Sequence, residues 1–242
     1  MIPKTDESTQ QLVDRYLQIL TVGKTDVYLN GKDCPKQECN LGNVIADSMM
    51  FDRNTKMTKR VLDDIILREG SDYLKQQIHE RRDAIALINS NLISDSIGSE
   101  DNPANQMTRL SIDKVFRNGD PKVILYVVRG TIIRQLLEKY VQSSDLLQVS
   151  GINVTYDLSK PINQTVIEIS VKCTKCLNNT IHQFNDNNFY ELLLPETIKL
   201  NEDNDTLAVK LLRASDILVD YIRLNSPINT TIENRITFLN GM

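Results

Sequence analysis

The sequence predicts a single mixed α and β domain. Segments with the apolar pattern of strands alternate with segments that place apolar residues at helical spacing. No internal repeat, low-complexity stretch or linker divides the chain. With 242 residues, 40% of them hydrophobic and 25% charged, the chain is long enough to enclose a sizeable core. We therefore expect an α+β fold with a β-sheet core and flanking helices.

Helices are predicted wherever apolar residues recur every three or four positions. The first such segment, residues 8–22, begins with a Ser or Thr cap candidate and carries Leu12, Tyr16, Ile19 and Leu20 on one face. In TIIRQLLEKYVQ, the apolar residues again share one helical face. The predicted helices are residues 8–22, 40–52, 57–69, 111–116, 131–142 and 206–223.

Strands are predicted where apolar residues alternate with polar ones or run together for a few positions between turn signals. The clearest is KVILYVVRG, whose continuous apolar run is typical of a buried strand. An Asn-Gly pair ends the first predicted strand and is a strong turn signal. The predicted strands are residues 25–31, 84–89, 122–130, 146–158, 166–173, 189–195 and 231–239.

The charge and hydropathy of the chain exclude two classes of partner. A net charge of -4, from 28 basic and 32 acidic residues, gives no general attraction for nucleic acid or for an anionic membrane. The longest apolar runs are far shorter than the roughly 20 residues that a membrane-spanning helix needs. We therefore expect neither a nucleic-acid partner nor a membrane partner.

The four cysteines form two close pairs, Cys34 with Cys39 and Cys173 with Cys176. A zinc site would need both pairs to converge, and the usual two-residue spacing of zinc knuckles occurs in only one of them. The alternative is two local disulfides, which belong to an oxidising compartment. The two histidines do not lie in a metal-binding spacing, and we expect no cofactor and no metal.

Asn-x-Ser/Thr sequons favour the disulfide alternative, because N-glycosylation takes place on secreted proteins. Some sequons arise by chance in a chain this rich in Asn, Ser and Thr. The first ten residues contain no apolar signal-peptide segment, so we expect any leader to have been removed. The glycosylation candidates are Asn153, Asn163, Asn178, Asn204 and Asn229.

One long stretch, VYLNGKDCPKQECNLGNVIADSM, resembles the start of the carboxy-terminal domain of the 5′-nucleotidase and apyrase family, which includes the salivary apyrases of blood-feeding arthropods. The resemblance continues through KVILYVVRGTIIRQLLE, LLQVSGINVTYDLS, FYELLLP and SPINTTIENRITF, and extends from about Asp26 to Phe238. It implies an α+β fold of the 5′-nucleotidase carboxy-terminal type over residues 25–242. Residues 1–24 resemble the interdomain helix of the family.

The resemblance also implies what the sequence lacks. Family enzymes hold two metal ions in an amino-terminal metallophosphatase domain, and the carboxy-terminal domain supplies the nucleoside pocket. The sequence contains no counterpart of the metal domain, and phosphoester hydrolysis at neutral pH needs metal-activated water. We therefore expect the chain not to be an enzyme.

The nucleoside pocket of the family is altered at several positions. At the end of the strand 84–89, the family has an Asn and, five residues later, an Arg. Asn89 is kept, but Ser94 stands at the position of the arginine. Pro35 stands at the position of a second family arginine, just after the first cysteine. Gly119 and Thr197 align with the two aromatic residues that sandwich the base. Each lost stacking contact weakens binding by about 1 to 3 kcal/mol. Asp203 aligns with the aspartate that binds the ribose hydroxyls.

These differences lead to three hypotheses. The first is a secreted, non-catalytic protein, from the saliva of a blood-feeding arthropod, that binds a host extracellular protein or mediator of haemostasis or inflammation. The binding surface would lie on residues 89–106, 117–122 and 196–206, because function concentrates on loops held by a rigid scaffold. The alternatives are a nucleoside or nucleotide scavenger that uses Asn89 and Asp203 weakly, and the substrate-binding half of a nucleotidase or apyrase. The resemblance also allows a homodimer.

Overall fold

The computed structural model of the protein describes residues 20–56, 59–72, 75, 82–99, 101, 105–173, 180–200 and 207–239. The strands in these ranges are β1 (Thr21–Thr25), β2 (Ala84–Asn89), β3 (Asn105–Thr108), β4 (Lys122–Arg129), β5 (Leu147–Ser150), β6 (Ile152–Tyr156), β7 (Val166–Lys172), β8 (Ile181–Gln183), β9 (Phe189–Pro195), β10 (Leu207–Arg213) and β11 (Ile236–Phe238). The α-helices are α1 (Asn40–Lys56), α2 (Lys59–Glu69), α3 (Arg109–Val115), α4 (Gly130–Val141) and α5 (Ala214–Asn225).

The strands form three sheets. The central sheet has five strands in the order β10-β4-β9-β2-β5, and a second sheet has four in the order β11-β6-β7-β8. β1 and β3 form a separate antiparallel pair. Sheets that mix parallel and antiparallel strands with flanking helices confirm the predicted α+β class.

Both faces of the central sheet are buried, which gives the domain three layers. Side chains alternate along each strand, so Ala84, Ala86 and Ile88 of β2 join the hydrophobic core formed with α1, α2, α3 and α5. Ile85 and Leu87 face the opposite core, which α4 and the four-stranded sheet complete. This burial on both sides explains the continuous apolar runs in β2, β4 and β9.

Gly151 carries the chain from one sheet to the other. The sequence predicts a continuous strand segment over residues 146–158, but the structure divides it into β5 of the central sheet and β6 of the second sheet. Gly151 has φ +83°, and a Cβ at this position would lie 2.4 Å from the carbonyl oxygen of Ala84. Glycine is therefore required by both the conformation and the close approach.

Several predicted elements are wrong in extent. The sequence predicts one helix over residues 206–223, but the chain forms β10 before α5, because LAVKLLR pairs with β4 at the sheet edge. The predicted strand 25–31 is reduced to Thr25, which ends β1 and also bridges Ile228, and to a bridge between Leu29 and Ile97. In the predicted strand 231–239, only β11 is formed.

The predicted amino-terminal helix also ends too late. Residues 21–25 form β1, since pairing with β3 satisfies their backbone groups, and the expected domain boundary between residues 24 and 25 falls inside this strand. The remainder of the expected helix, residues 8–19, lies outside the described residues.

Candidate functional site

Strand direction brings the predicted functional loops to one edge of the central sheet. β2 and β9 are parallel, so both end at this edge, where antiparallel β4 and β5 begin. Of the predicted loops 89–106, 117–122 and 196–206, the segments that directly adjoin these strands are residues 89–94, 117–122 and 196–200. We call these three segments the loop edge. In mixed sheets, the loops at the carboxyl ends of strands are a common position for ligand sites.

Asn89 is the last residue of β2 and is only 7% exposed. Its amide Nδ2 donates a hydrogen bond to Oδ2 of Asp145 at 3.1 Å. The other carboxylate oxygen, Oδ1, accepts from Asn91 N at 2.8 Å and from the Ser90 hydroxyl at 3.2 Å. Asp145 thus holds the turn that follows β2. Asn89 Oδ1, in contrast, is buried and has no hydrogen-bond partner among the residues that the structure describes.

The loop 117–122 packs against the loop after β2. Asn118 N donates to the Ser94 hydroxyl at 3.1 Å, and Asn118 Nδ2 donates to the carbonyl oxygen of Asn91 at 3.2 Å. Farther along, the Asp120 carboxylate accepts from the backbone N and the hydroxyl of Ser215, at the start of α5. The loop is therefore fixed between β2 and α5.

The third loop is joined to the start of β4. Glu196 N donates to the carbonyl oxygen of Lys122 at 2.8 Å, and Lys122 N donates to Glu196 Oε1 at 3.0 Å. Thr197, which aligns with a family aromatic residue, is exposed. The loop edge is thus a set of hydrogen-bonded loops on a rigid sheet.

The pocket positions predicted from the sequence lie in different surroundings. Ser94 lies in the loop edge, where its hydroxyl joins two loops, and cannot supply the charge of the family arginine. Gly119 has φ +150°, and an added Cβ would lie 3.8 Å from Leu92 Cδ2, so the leucine side chain lies beside this position. Asp203 lies outside the described residues, so its predicted role with Asn89 stays a prediction.

The predicted Cys34–Cys39 disulfide is present. Cys173 is also disulfide-bonded, while its expected partner Cys176 lies outside the described residues. The zinc alternative is therefore wrong for Cys34 and Cys39, because the disulfide leaves them no free thiols. No three His, Cys, Asp or Glu side chains within the described ranges converge in a way that could hold a metal ion.

The predicted sequons occupy different surroundings. Asn163 and Asn229 lie in loops and are exposed, whereas Asn153 lies within β6, half-buried, with its Oδ1 buried. Asn178 and Asn204 lie outside the described residues. Among the helices that the structure describes, none is both long enough and apolar enough to cross a bilayer.

A second polar region, at the opposite end of the central sheet, is not among the sequence predictions. It contains a cavity of 410 Å³ lined in part by Asp47, Ser150 and Arg235. The Arg235 guanidinium contacts both oxygens of Asp47, the Glu233 carboxylate and the Val149 carbonyl oxygen. The Arg235 guanidinium is already paired with groups of the protein. It is therefore less available to bind an anion in the cavity than an unpaired arginine would be.

Asp145 is the site residue that sequence reasoning had no means of finding. It follows two serines in a polar loop and belongs to none of the motifs described above. Only the antiparallel pairing of β2 with β5, in which Asn89 is opposite Leu147, brings it to Asn89.

The three layers and the loop edge define an α+β domain whose candidate site lies on loops at one edge of its central sheet. The family model described as "5'-nucleotidase, C-terminal domain" matches residues 21–208. The chain therefore belongs to the 5′-nucleotidase carboxy-terminal domain family.

Individual relatives agree with this assignment. A snake venom 5′-nucleotidase of Macrovipera lebetinus is 29% identical over 251 residues, covering 96% of this chain and 55% of the relative. A snake venom 5′-nucleotidase of Crotalus adamanteus is 28% identical over 235 residues, covering 91% and 36%. The crystal structure of a 5′-nucleotidase precursor from Thermus thermophilus superposes with a TM-score of 0.71 at 22% identity, covering 97% of this chain and 42% of that one. The chain therefore spans about a third to a half of these proteins.

Proposed function

We propose that this domain is the carboxy-terminal, substrate-binding half of a 5′-nucleotidase-type protein, and that a nucleoside or nucleotide binds at the loop edge. The observation that carries the proposal is the buried Asn89 Oδ1, which has no hydrogen-bond partner within the described part of the chain. A buried acceptor without a partner costs about 1 to 3 kcal/mol, and a ligand donor that displaced the groups covering it would recover that loss. Family membership supports the choice of ligand.

Binding should be weak. Gly119 and Thr197 supply no aromatic stacking, and Ser94 supplies no positive charge. We also propose that the chain alone does not hydrolyse phosphoesters, because that chemistry needs metal-activated water. Asn89 would then contribute to ligand affinity only, and Asp203 would bind the ribose as the resemblance implies.

Titration calorimetry with adenosine, AMP and ADP tests the proposal directly. Wild-type protein should bind at least one of them in the high micromolar range, and Asn89→Ala should weaken binding while Asn225→Ala, at the far end of α5, should not. No heat with any ligand up to millimolar concentration would overturn the proposal. A phosphate-release assay with added zinc or calcium accompanies the titration, and activity above a metal-free control would refute the non-catalytic part.

A second candidate is a non-catalytic protein that binds a host extracellular protein or mediator. Ser94, Gly119 and Thr197, which replace the charged and aromatic pocket residues of the family, favour it. Each loop is still held rigidly, so the loop edge could present a protein-binding surface. Its test is capture of one protein from host plasma by the wild type and loss of that protein with Arg117→Ala/Asn118→Ala. Equal capture by both proteins would exclude the loop edge as the surface.

Secretion is part of both candidates. The Cys34–Cys39 disulfide supports an oxidising compartment, and the relatives named as snake venom proteins support an extracellular one. Salivary origin in an arthropod is the finer form of this proposal. Detection of the protein by mass spectrometry in secreted fluid, and its absence from washed tissue, would support it; the reverse distribution would contradict it. Sedimentation velocity on the purified chain tests the homodimer.

A further inference from the structure

We infer that one corner of the central sheet is a binding site for a sulfated polysaccharide, which is held by Lys122 of β4 and by Lys210 and Arg213 of β10. We call these three residues the basic corner. The site takes a different ligand from the one in the proposed function, and it does not depend on nucleoside binding.

Strand pairing places the two lysines on the same face of the sheet. Lys210 is opposite Ile124, and Lys122 lies two residues before Ile124, so the two lysines are diagonal neighbours. Diagonal neighbours on one face are about 7 to 8 Å apart. Both lysines are exposed, and β10 is the edge strand of the central sheet. A ligand can therefore reach both from solvent.

An extra residue in β10 brings Arg213 to the same face. The register shifts between Lys210 and Arg213, so that Arg213 is opposite Lys122. With regular pairing, Leu212 would be opposite Lys122, and Arg213 would point to the other face of the sheet. Bulges near sheet edges re-aim side chains in this way. Three cations therefore share one corner of the sheet.

The three cations are available to a ligand. None of them forms an ion pair with another residue in the part of the chain that the structure describes. Arg213 Nη1 donates to the carbonyl oxygen of Asp120 at 2.8 Å, which holds the guanidinium in place. Carboxylates of the adjoining loops are engaged elsewhere, since Asp120 accepts from Ser215 and Glu196 Oε1 accepts from Lys122 N. Positive charge is thus concentrated here, although the chain has a net charge of -4.

The surroundings of the basic corner favour a sulfated polysaccharide over two other polyanions. Single-stranded nucleic acid stacks its bases on aromatic side chains, but Tyr126, which shares this face, is buried. An acidic peptide that paired with β10 would meet the bulge, which interrupts the ladder. A sulfated chain needs neither stacking nor backbone pairing, and its sulfate oxygens can accept from the guanidinium and the ammonium groups. The Cys34–Cys39 disulfide supports an extracellular compartment, where such polysaccharides occur.

Titration calorimetry with a heparin octasaccharide tests the inference. Wild-type protein should bind it but not an unsulfated heparosan octasaccharide, and added salt should weaken the binding. Lys210→Ala should weaken binding about 2- to 5-fold, and Arg213→Ala about 5- to 10-fold. Lys160→Ala, which removes an exposed lysine between β6 and β7, should change nothing. Equal losses in Lys160→Ala and Lys210→Ala, or no binding by wild type, would overturn the inference.

A variant of unchanged composition tests the role of the extra residue in β10. Leu212→Arg/Arg213→Leu exchanges two side chains, so the net charge is constant while the cation moves away from the face of Lys122. Binding of the octasaccharide should weaken as much as in Arg213→Ala, in protein that circular dichroism shows to be folded. Unchanged binding would contradict the placement of Arg213. Tighter binding of polyglutamate or of a DNA oligonucleotide by wild type would contradict the choice of ligand.

Discussion

Arg53 of α1 and Glu191 of β9 form an ion pair in which the two side chains are only 3% and 2% exposed. The pair lies between the helical layer and the central sheet, where Glu191 is opposite Val127 of β4 and Ala84 of β2. Arg53 also donates to Asn54 Oδ1 at 2.9 Å. Charges buried this deeply are stabilised only by each other and by their hydrogen bonds.

Removing one member of this pair should destabilise the fold strongly. Arg53→Met leaves an uncompensated carboxylate, and Glu191→Leu leaves an uncompensated guanidinium, so each should lower the free energy of unfolding by about 3 to 5 kcal/mol. The double variant should recover most of the loss, since it replaces both charges by apolar groups. Urea unfolding followed by circular dichroism measures all three. If the loss of stability in the double variant equals the sum of the two single losses, the two charges do not interact.

Tyr156 leads to a different prediction, because its ring is completely buried and its hydroxyl has no hydrogen-bond partner in the described ranges. Burial, and next the negative charge of Glu138, raise the pKa of Tyr156 above its ordinary value of 10.0. Tyr156→Phe removes an unsatisfied group and keeps the ring that stacks on Phe238. At pH 8, we therefore expect this variant to be as stable as wild type or more stable. A loss of more than about 1 kcal/mol in urea unfolding would imply a partner for the hydroxyl.

Because the pKa of Tyr156 is raised in the folded state, the free energy of unfolding should fall at alkaline pH. Below pH 10, Tyr156 is neutral in both the folded and the unfolded state, and its contribution to the free energy of unfolding is fully present. As pH rises through and above 10, the unfolded chain loses the proton first, so stability falls by up to about 1.4 kcal/mol per pH unit until the folded pKa is reached. Tyr156→Phe should make stability between pH 10 and 11 less dependent on pH than in wild type. An unchanged slope would show that Tyr156 ionises equally in both states.

The sequence predicted most of the fold where local pattern and tertiary structure agree. β4 and α4 could be predicted because the apolar run of the strand and the helical face of TIIRQLLEKYVQ are each unambiguous. β10 could not, since LAVKLLR and the helix after it share one continuous helix-compatible pattern, and only pairing with β4 selects the strand. Asn89 was found through resemblance. Asp145 was not, because 56 residues separate it from Asn89 and only strand pairing brings them together.

The Cys34–Cys39 disulfide should contribute modestly to stability. Its sequence separation is 5, and closing so short a loop is worth about 2 kcal/mol in the chain-entropy description. Cys34→Ala/Cys39→Ala should therefore lower the free energy of unfolding by about this amount, while its circular dichroism spectrum remains native. The segment keeps other anchors, since Gln148 accepts from Cys39 N and donates to the carbonyl oxygen of Cys34. Global unfolding of the double variant would show that these anchors are insufficient without the disulfide.

Glycosylation should follow the surroundings of the sequons. Asn163 and Asn229 are exposed in loops, so a glycan on either side chain projects into solvent. Asn153 lies on an inner strand of the four-stranded sheet with its Oδ1 buried, and a glycan there would displace side chains on that face. Peptide mapping of protein secreted from insect cells should find occupancy at Asn163 and Asn229 and little at Asn153.

Variants at the three sequon asparagines provide the control for this prediction, since each can be tested for both glycan mass and stability. Asn163→Asp, which tolerates the φ of +66° at this position, and Asn229→Gln should each remove one glycan without changing urea unfolding, because both side chains are exposed. Asn153→Gln should leave the glycan mass unchanged but lower stability, since a longer amide must fit on the half-buried face of β6. High occupancy at Asn153 in the folded, secreted protein would contradict the prediction, because the glycan would then have to lie on the face of the sheet where the Asn153 amide is buried.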